Sequence, residues 1–117
     1  MTSYELEVRN SDLGEVALAE LSGELDLTNA AEFARRLEEL SADSTALVLD
    51  LNGIQFLDSA ALHVLFSLAR RLELESKRLA IVLDPNARIA KTMSIVSFED
   101  VSTVRASLDE VLDELSV

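Results

Sequence analysis

The chain has 117 residues, enough for one hydrophobic core and too few for a core plus a separate functional domain; its 49% apolar and 27% charged residues exclude disorder. Its 22 acidic against 10 basic residues, a net charge of −12, argue against direct nucleic-acid binding and against attraction to an anionic membrane surface, both of which need clustered Lys and Arg. The absence of cysteine excludes disulfides, thiolate nucleophiles and Cys-based zinc sites. The single histidine, His63, leaves little for a metal centre or a catalytic triad. Residues 1–34 hold eight acids and one base, residues 35–98 eight of each, and residues 99–117 six acids and one base, so the acidity belongs to the two ends. That distribution fits a solubilising surface and, more sharply, a field that favours a basic partner. No signal peptide is seen at the start and no apolar run approaches the roughly 20 residues of a membrane span. The chain is therefore expected to be soluble and cytoplasmic, without membrane insertion.

In chain order, Tyr4 to Arg9 alternates and predicts a short strand. Ser11-Asp12-Leu13-Gly14 predicts a turn, and Glu15 to Leu21 a second strand ended by Ser22-Gly23, together an antiparallel hairpin. A helix follows, capped by Thr28 or Asn29, with Glu32 placed for a capping box and Ala30, Phe33, Ala34, Leu37 and Leu40 on one face. The nearly unbroken apolar run Ala46 to Leu51, bounded by Ser44-Thr45 and Asn52-Gly53, fits a central parallel strand covered on both faces. A second helix starts at Asp58 or Ser59 and runs to about Glu75, with Leu62, Leu65, Phe66, Ala69 and Leu72 as its apolar stripe. Leu79 to Leu83 predicts a strand stopped by Asp84-Pro85-Asn86, and Ala87 to about Met93 a short helix. Ser97 to Val101 predicts a weak last strand. Ser102 or Thr103 then caps a final helix with Val104, Leu108, Val111, Leu112 and Leu115 inward. This order predicts an α/β fold: a mixed, mainly parallel sheet of four to five strands flanked by about four helices. Sites in such sheets form beyond the carboxyl ends of strands, here the loops after Leu21, Leu51 and Leu83, where Asp26, Asn52, Asp58, Ser59, Asp84 and Asn86 are the polar candidates.

Most chemistries fail on the residues. Leu57-Asp58-Ser59-Ala60-Ala61 lacks the glycines of a nucleophile elbow, and Gly14, Gly23 and Gly53 are too dispersed for a phosphate-cradling loop. A receiver domain also alternates strands and helices, and Asp50 mimics its phosphorylated aspartate. The acidic pair and the lysine that receiver chemistry needs are missing near Leu21 and Val101. His63 reads as solvent-facing or locally bonded, or as a contact near Ser59 four residues earlier on the same helix face. What remains is Phe56-Leu57-Asp58-Ser59-Ala60-Ala61-Leu62, which puts a hydroxyl in the first turn of a helix, where free N–H groups and the helix dipole stabilise a phosphate group. Ser and Asp are also favoured caps, so the same residues fit a plain N-cap.

The segment from Leu49 to Leu62 resembles the signature of the STAS domain family, which includes the bacterial anti-sigma factor antagonists. Leu21-Ser22-Gly23-Glu24-Leu25-Asp26 resembles the family's second motif. The resemblance covers essentially the whole chain and implies one STAS domain over residues 1–117. It further implies that an anti-sigma factor with serine kinase activity phosphorylates Ser59, that the unphosphorylated form binds that factor and frees the sigma factor, and that a phosphatase restores the active form. Asp26 and Asp58 match the motif acids and would lie near Ser59, with Ala60, Ala61 and His63 beside them. The nucleotide would belong to the kinase, so the resemblance implies a substrate and binder with no cofactor and no catalysis of its own. Ala61 stands where the family usually has glycine; it favours the helix by about 0.5–1 kcal/mol and adds a methyl group expected to hinder a kinase's close approach. Two other readings stay open: a STAS subunit of a lipid-transport complex or stress-sensing scaffold with Ser59 as a simple cap, and a small-molecule or nucleotide sensor using the strand-end loops. The sequence leaves the oligomeric state open.

Overall fold

Apolar runs of β-branched and leucine residues become strands where both sheet faces are covered, and the stretches with a 3.6-residue period become the helices that cover them. The structure is a computed structural model that describes residues 2–9 and 14–116. Its elements are β1 (Tyr4–Arg9), β2 (Val16–Leu25), α1 (Ala30–Ser41), β3 (Ala46–Leu57), α2 (Ser59–Leu74), β4 (Arg78–Val82), α3 (Ala90–Ile95), a 3-10 turn (Phe98–Asp100), β5 (Thr103–Arg105) and α4 (Leu108–Leu115). Five strands form one sheet in the order β1-β2-β3-β4-β5, with β1 antiparallel to β2 and the other neighbours parallel. The mixed sheet and its helices match the predicted fold class. The predicted turn at residues 11–13 lies outside the described residues, while Gly14 follows at a φ of +50°.

Because the strand order advances in one direction, right-handed crossovers put α1, α2 and α3 on the same sheet face. There Leu21, Leu47, Leu49, Leu51 and Ile81 meet Phe33, Leu37, Leu65, Leu72 and Met93 in the main core. A smaller cluster on the opposite face sets Val111 of α4 against Leu18, Val48, Ala80 and Val82. Glu114 fastens α4 to the sheet: it accepts from Thr103 Oγ1 at 2.9 Å and pairs with Arg105 at 2.6 Å and Arg78 at 3.4 Å. The Thr103 hydroxyl, and then Arg105, hold its carboxyl below the usual glutamate value.

Several boundaries differ from the predicted ones, each for a local reason. β2 does not end at Ser22-Gly23 but continues to Leu25, and β3 does not end at Asn52-Gly53 but continues to Leu57. Both dipeptides look like turns, yet both sit where backbones meet too closely for a side chain. A Cβ on Gly23 would lie 2.5 Å from Ser3 O, and one on Gly53 would lie 2.7 Å from Leu21 O. Gly23 also holds a φ of +100°. The pairing of β2 with β3 shifts register twice here, from Glu20/Asp50 to Ser22/Gly53 and from Gly23/Ile54 to Glu24/Phe56, so β3 carries two bulges. β4 starts and ends one residue earlier than predicted, and α3 starts at Ala90 rather than Ala87.

The predicted strand at Ser97–Val101 is instead a 3-10 turn that buries Phe98 edge-on against Phe66, with ring centroids 4.9 Å apart. The fifth strand comes after it. Ser102 Oγ donates to Leu79 O at 2.9 Å and leads into β5, so neither Ser102 nor Thr103 caps a helix. Ser107 caps α4 by accepting from Glu110 N, and Val104 lies in β5. The capping box of α1 does not form either. Glu32 accepts from the Tyr4 hydroxyl at 2.9 Å, and the Asn29 side chain is used in the preceding loop.

Gly23→Ala is expected to cost about 1–3 kcal/mol, the usual range for a non-glycine residue forced into a left-handed conformation with a backbone contact. Urea unfolding checks it: the midpoint should fall with the slope unchanged. A midpoint equal to that of the unsubstituted protein would contradict the close approach to Ser3.

Candidate functional site

β2 and β3 end side by side: Leu25 pairs with Leu57, and Asp58 N donates to Leu25 O at 3.2 Å. The next residue, Asp58, is in an extended conformation and caps α2. Its Oδ1 accepts from Ala61 N at 3.0 Å, and its Oδ2 accepts from Leu27 N at 3.1 Å. One oxygen satisfies an orphan amide of the helix, and the other ties the loop after β2 to the same point. Asp58 therefore holds the cap position that the sequence left shared with Ser59. Ser59 is the first residue of α2, and it is exposed. Its hydroxyl is not needed for capping and stands in the first helical turn, where the dipole favours negative charge.

The loop from Asp26 to Asn29 is built from side chains bonded to backbone. Asn29 Oδ1 accepts from Asp26 N at 3.0 Å, and its Nδ2 donates to Glu24 O at 3.0 Å. Asp26 Oδ1 accepts from Thr28 N at 2.9 Å and from the Thr28 hydroxyl. The Thr28 and Thr2 hydroxyls lower the Asp26 pKa below the ordinary aspartate value. Asp26 thus lies at the same strand end as Asp58, but its carboxylate bonds Thr28 of its own loop and Thr2 ahead of β1.

The remaining candidates separate. Asn52 lies in β3, where its Oδ1 accepts from Asp84 N at 2.7 Å, and Asp84 Oδ1 accepts from Asn86 N at 2.8 Å. These three hold one another and the turn after β4. His63 is exposed, and its Nε2 lies 3.5 Å from Ser67 Oγ, one turn further along α2. Ala60 is half-buried, but Ala61 is fully buried and belongs to the main core. The Ala61 methyl therefore points away from any partner, and the steric hindrance expected from the sequence does not arise there. Two residues of this region differ from the sequence reading: Asn29 was expected as a cap, and Leu27 was not singled out. Asn29 builds the loop rather than capping α1, and Leu27 stands 78% exposed between Asp26 and Thr28. The available signal for Leu27 was a large apolar residue in a polar loop, off the stripe of the helix that follows.

The parallel-rich sheet with its helix layer is a fold that related proteins share. The STAS domain model matches residues 7–111, and the chain belongs to that family. The anti-sigma-F factor antagonist RsfB of Mycobacterium tuberculosis is 36% identical over 63 residues, 53% of this chain and 52% of that one. The chain thus matches about half the length of these curated relatives. An anti-sigma factor antagonist from Mycobacterium paratuberculosis has a similar structure, with a TM-score of 0.83 and 25% identity over 98% of this chain and 96% of that chain. The anti-sigma factor antagonist SpoIIAA in its unphosphorylated form has the same fold, with a TM-score of 0.70 and 20% identity over 97% of this chain and 98% of that chain. Among the described residues no helix is long and apolar enough to cross a membrane, and no group of three or more His, Asp or Glu could hold a metal ion.

Asp58→Ala removes the acceptor of two amides in different segments. Loss of a cap costs about 0.5–2 kcal/mol, which a domain stable by about 5–15 kcal/mol survives. Hydrogen exchange on the folded variant should speed up at both the Leu27 and Ala61 amides; unchanged protection at both would refute the shared acceptor. A second expectation concerns pH. The Asp26 pKa is depressed in the fold, so its stabilisation is full above the unfolded value of about 3.9 and is lost as pH falls through the lower native value. Asp26→Asn should be less stable than the unsubstituted protein at neutral pH, with the gap closing in acid. A gap that stays constant on acidification would show that Asp26 makes no such contribution.

Proposed function

We propose that this chain is an anti-sigma factor antagonist. Its unphosphorylated form binds an anti-sigma factor with serine kinase activity and so releases the sigma factor, and phosphorylation of Ser59 ends that binding. The observation that carries the reading is the exposed Ser59 at the start of α2 with the cap role taken by Asp58. In the transfer, Ser59 Oγ attacks the terminal phosphorus of the ATP held by the kinase, a new O–P bond forms, and ADP leaves. The hydroxyl proton goes to a base of the kinase, while Asp58, whose carboxylate oxygens each accept a backbone amide, keeps the helix start in place. A phosphatase reverses the modification by hydrolysis. The chain supplies a hydroxyl and a surface; cofactor and catalysis belong to the partners, and the place of action is the cytoplasm. The reading in which Ser59 merely caps α2 is disfavoured by the Asp58 cap.

Phosphate adds about −1.5 to −2 charge at neutral pH, which the helix start favours by about 0.3–1 kcal/mol and neighbouring Asp58 opposes. These terms are of similar size, so the fold should stand. A partner docked over Ser59 instead meets a dianion in a partly dry interface, where an unpaired charge costs several kcal/mol. Incubation with the cognate kinase and ATP should place one phosphate on Ser59 by mass spectrometry. The phosphorylated protein should melt within a few degrees of the unmodified one, yet bind the anti-sigma factor at least about tenfold more weakly, or about 1.4 kcal/mol. Ser59→Ala should still bind, and Ser59→Asp should bind weakly. Phosphate found elsewhere with Ser59 bare, or unchanged affinity after modification, would reject the switch; a collapse of melting would make it unfolding instead.

A further inference from the structure

Resting on the reading above, the next question is what the partner grips beside Ser59. Large apolar side chains exposed singly are ordinary on protein surfaces. Leu27, 78% exposed, differs in how it is held. The amides of four consecutive residues around it are all satisfied. Asp26 N donates to Asn29 Oδ1, Leu27 N to Asp58 Oδ2, Thr28 N to Asp26 Oδ1, and Asn29 N to Asp26 O. Three polar side chains thus fix a loop whose tip is a leucine in solvent. With the backbone already fixed, a leucine entering a partner's pocket gives up only its own rotamer freedom, and lower ordering cost is the saving behind preorganised anchors.

Phe56 is displayed by a different device. With Ile54 buried, regular alternation along β3 would turn Phe56 into the core and Leu57 outward. The second bulge, which skips Gln55 between the pairs Gly23/Ile54 and Glu24/Phe56, reverses this: Leu57 is buried and Phe56 is 49% exposed beside Glu24. Bulges commonly re-aim a side chain next to a functional site. Phe56 lies two residues before Asp58, and Leu27 is bonded to Asp58, so both border the residue that sets Ser59 in place.

We propose that Leu27 and Phe56 are the two apolar anchors by which the unphosphorylated chain grips its anti-sigma factor, and that the matching partner surface has apolar pockets rimmed by Lys or Arg. The rim follows from the carboxylates of Glu24, Asp26 and Asp58, which accompany the two anchors on this end of the molecule. A phosphate on Ser59, the residue after Asp58, then brings its charge to the partner surface that takes the anchors and opposes docking, which links the switch to the grip.

The test is calorimetric binding of the unphosphorylated full chain to the source organism's anti-sigma factors, each purified as its full chain. The variants are Leu27→Ala, Phe56→Ala and Ser59→Asp, with Leu74→Ala as a control, since Leu74 is 76% exposed at the far end of α2. Leu27→Ala and Phe56→Ala are each expected to lose at least about tenfold in affinity, the scale of an interface hot spot, and Leu74→Ala to lose nothing. Leu27→Ala should melt with the unsubstituted protein, so its loss of binding is not loss of fold. If the unsubstituted chain binds and Ser59→Asp weakens it while Leu27→Ala binds normally, the anchors are wrong and the switch stands. If the unsubstituted chain binds none of these factors, the antagonist reading fails and the anchors fail with it.

Discussion

Two backbone amides from different segments, those of Leu27 and Ala61, close on the two oxygens of one carboxylate. Through Asp58 the start of α2, the loop after β2 and the end of β3 become one rigid corner. A hydrogen bond to a charged group contributes about 1.5–3 kcal/mol, and two on one side chain resist rotation about its own bonds. The corner in turn depends on the sheet, because Asp58 can reach Leu27 only if β2 and β3 end level. Their last pair is Leu25 with Leu57, and that register is reached only after two bulges in β3. Gly53 lets β3 pass against Leu21 and Ser22 at one of them, and Gly23 lets β2 pass under Ser3 and Tyr4 nearby. The two glycines are therefore as much part of the site as the carboxylate, although neither is a candidate for contact with a partner.

The support below the corner is ordinary hydrophobic packing. β3 is covered on both faces, with Leu47, Leu49 and Leu51 under the α1–α2 layer and Val48 under α4. Burial of one such side chain contributes about 1.5–3 kcal/mol, so the central strand alone outweighs any single polar contact at the surface. Edge strand β1 is held to α1 by Tyr4, whose ring packs edge-on against Phe33 at 5.5 Å and whose hydroxyl bonds Glu32. Arg9 on the outer sheet face pairs with Glu7 and Glu20 and relieves part of the N-terminal acidity there. A frame of this kind accepts a new surface charge at the helix start without rearranging, which is what a surface switch requires.

Much of this was legible in the sequence because long periodic segments have one sensible burial. The stripes of α1 and α2 and the apolar runs of β3 and β4 fell where predicted, and so did the α/β class and the mixed sheet. The two motifs marked Asp26, Asp58 and Ser59, which lie at the strand ends. What was illegible depended on the neighbouring strand. Ser22-Gly23 and Asn52-Gly53 have the local chemistry of turns, and only a neighbouring backbone oxygen within 2.7 Å of where a Cβ would sit reveals that they are points of close approach. Asn29 and Glu32 have the spacing of a capping box, yet Glu24 O and the Tyr4 hydroxyl compete for them. β5 has three residues and the 3-10 turn also has three, too short for a period to register. Ala61 stands where the family usually has glycine, which suggests an added methyl in a kinase's path, but the helix turns that methyl into the core.

The switch and the rigid corner make one joint claim: phosphate changes what the end of the molecule can touch and leaves its internal bonds as they are. Asp58 sits next to Ser59 in the chain, so its bonds are the first that a phosphate would disturb. The most direct measurement is amide hydrogen exchange, resolved at Leu27 and Ala61, on the same protein before and after phosphorylation of Ser59. The account predicts that both amides keep their protection with phosphate in place, because Asp58 still accepts from each. Loss of protection at either one would show that the phosphate displaces the Asp58 carboxylate and takes over the helix cap. The switch would then be a rearrangement of the corner, and the claim of an unchanged frame would be wrong.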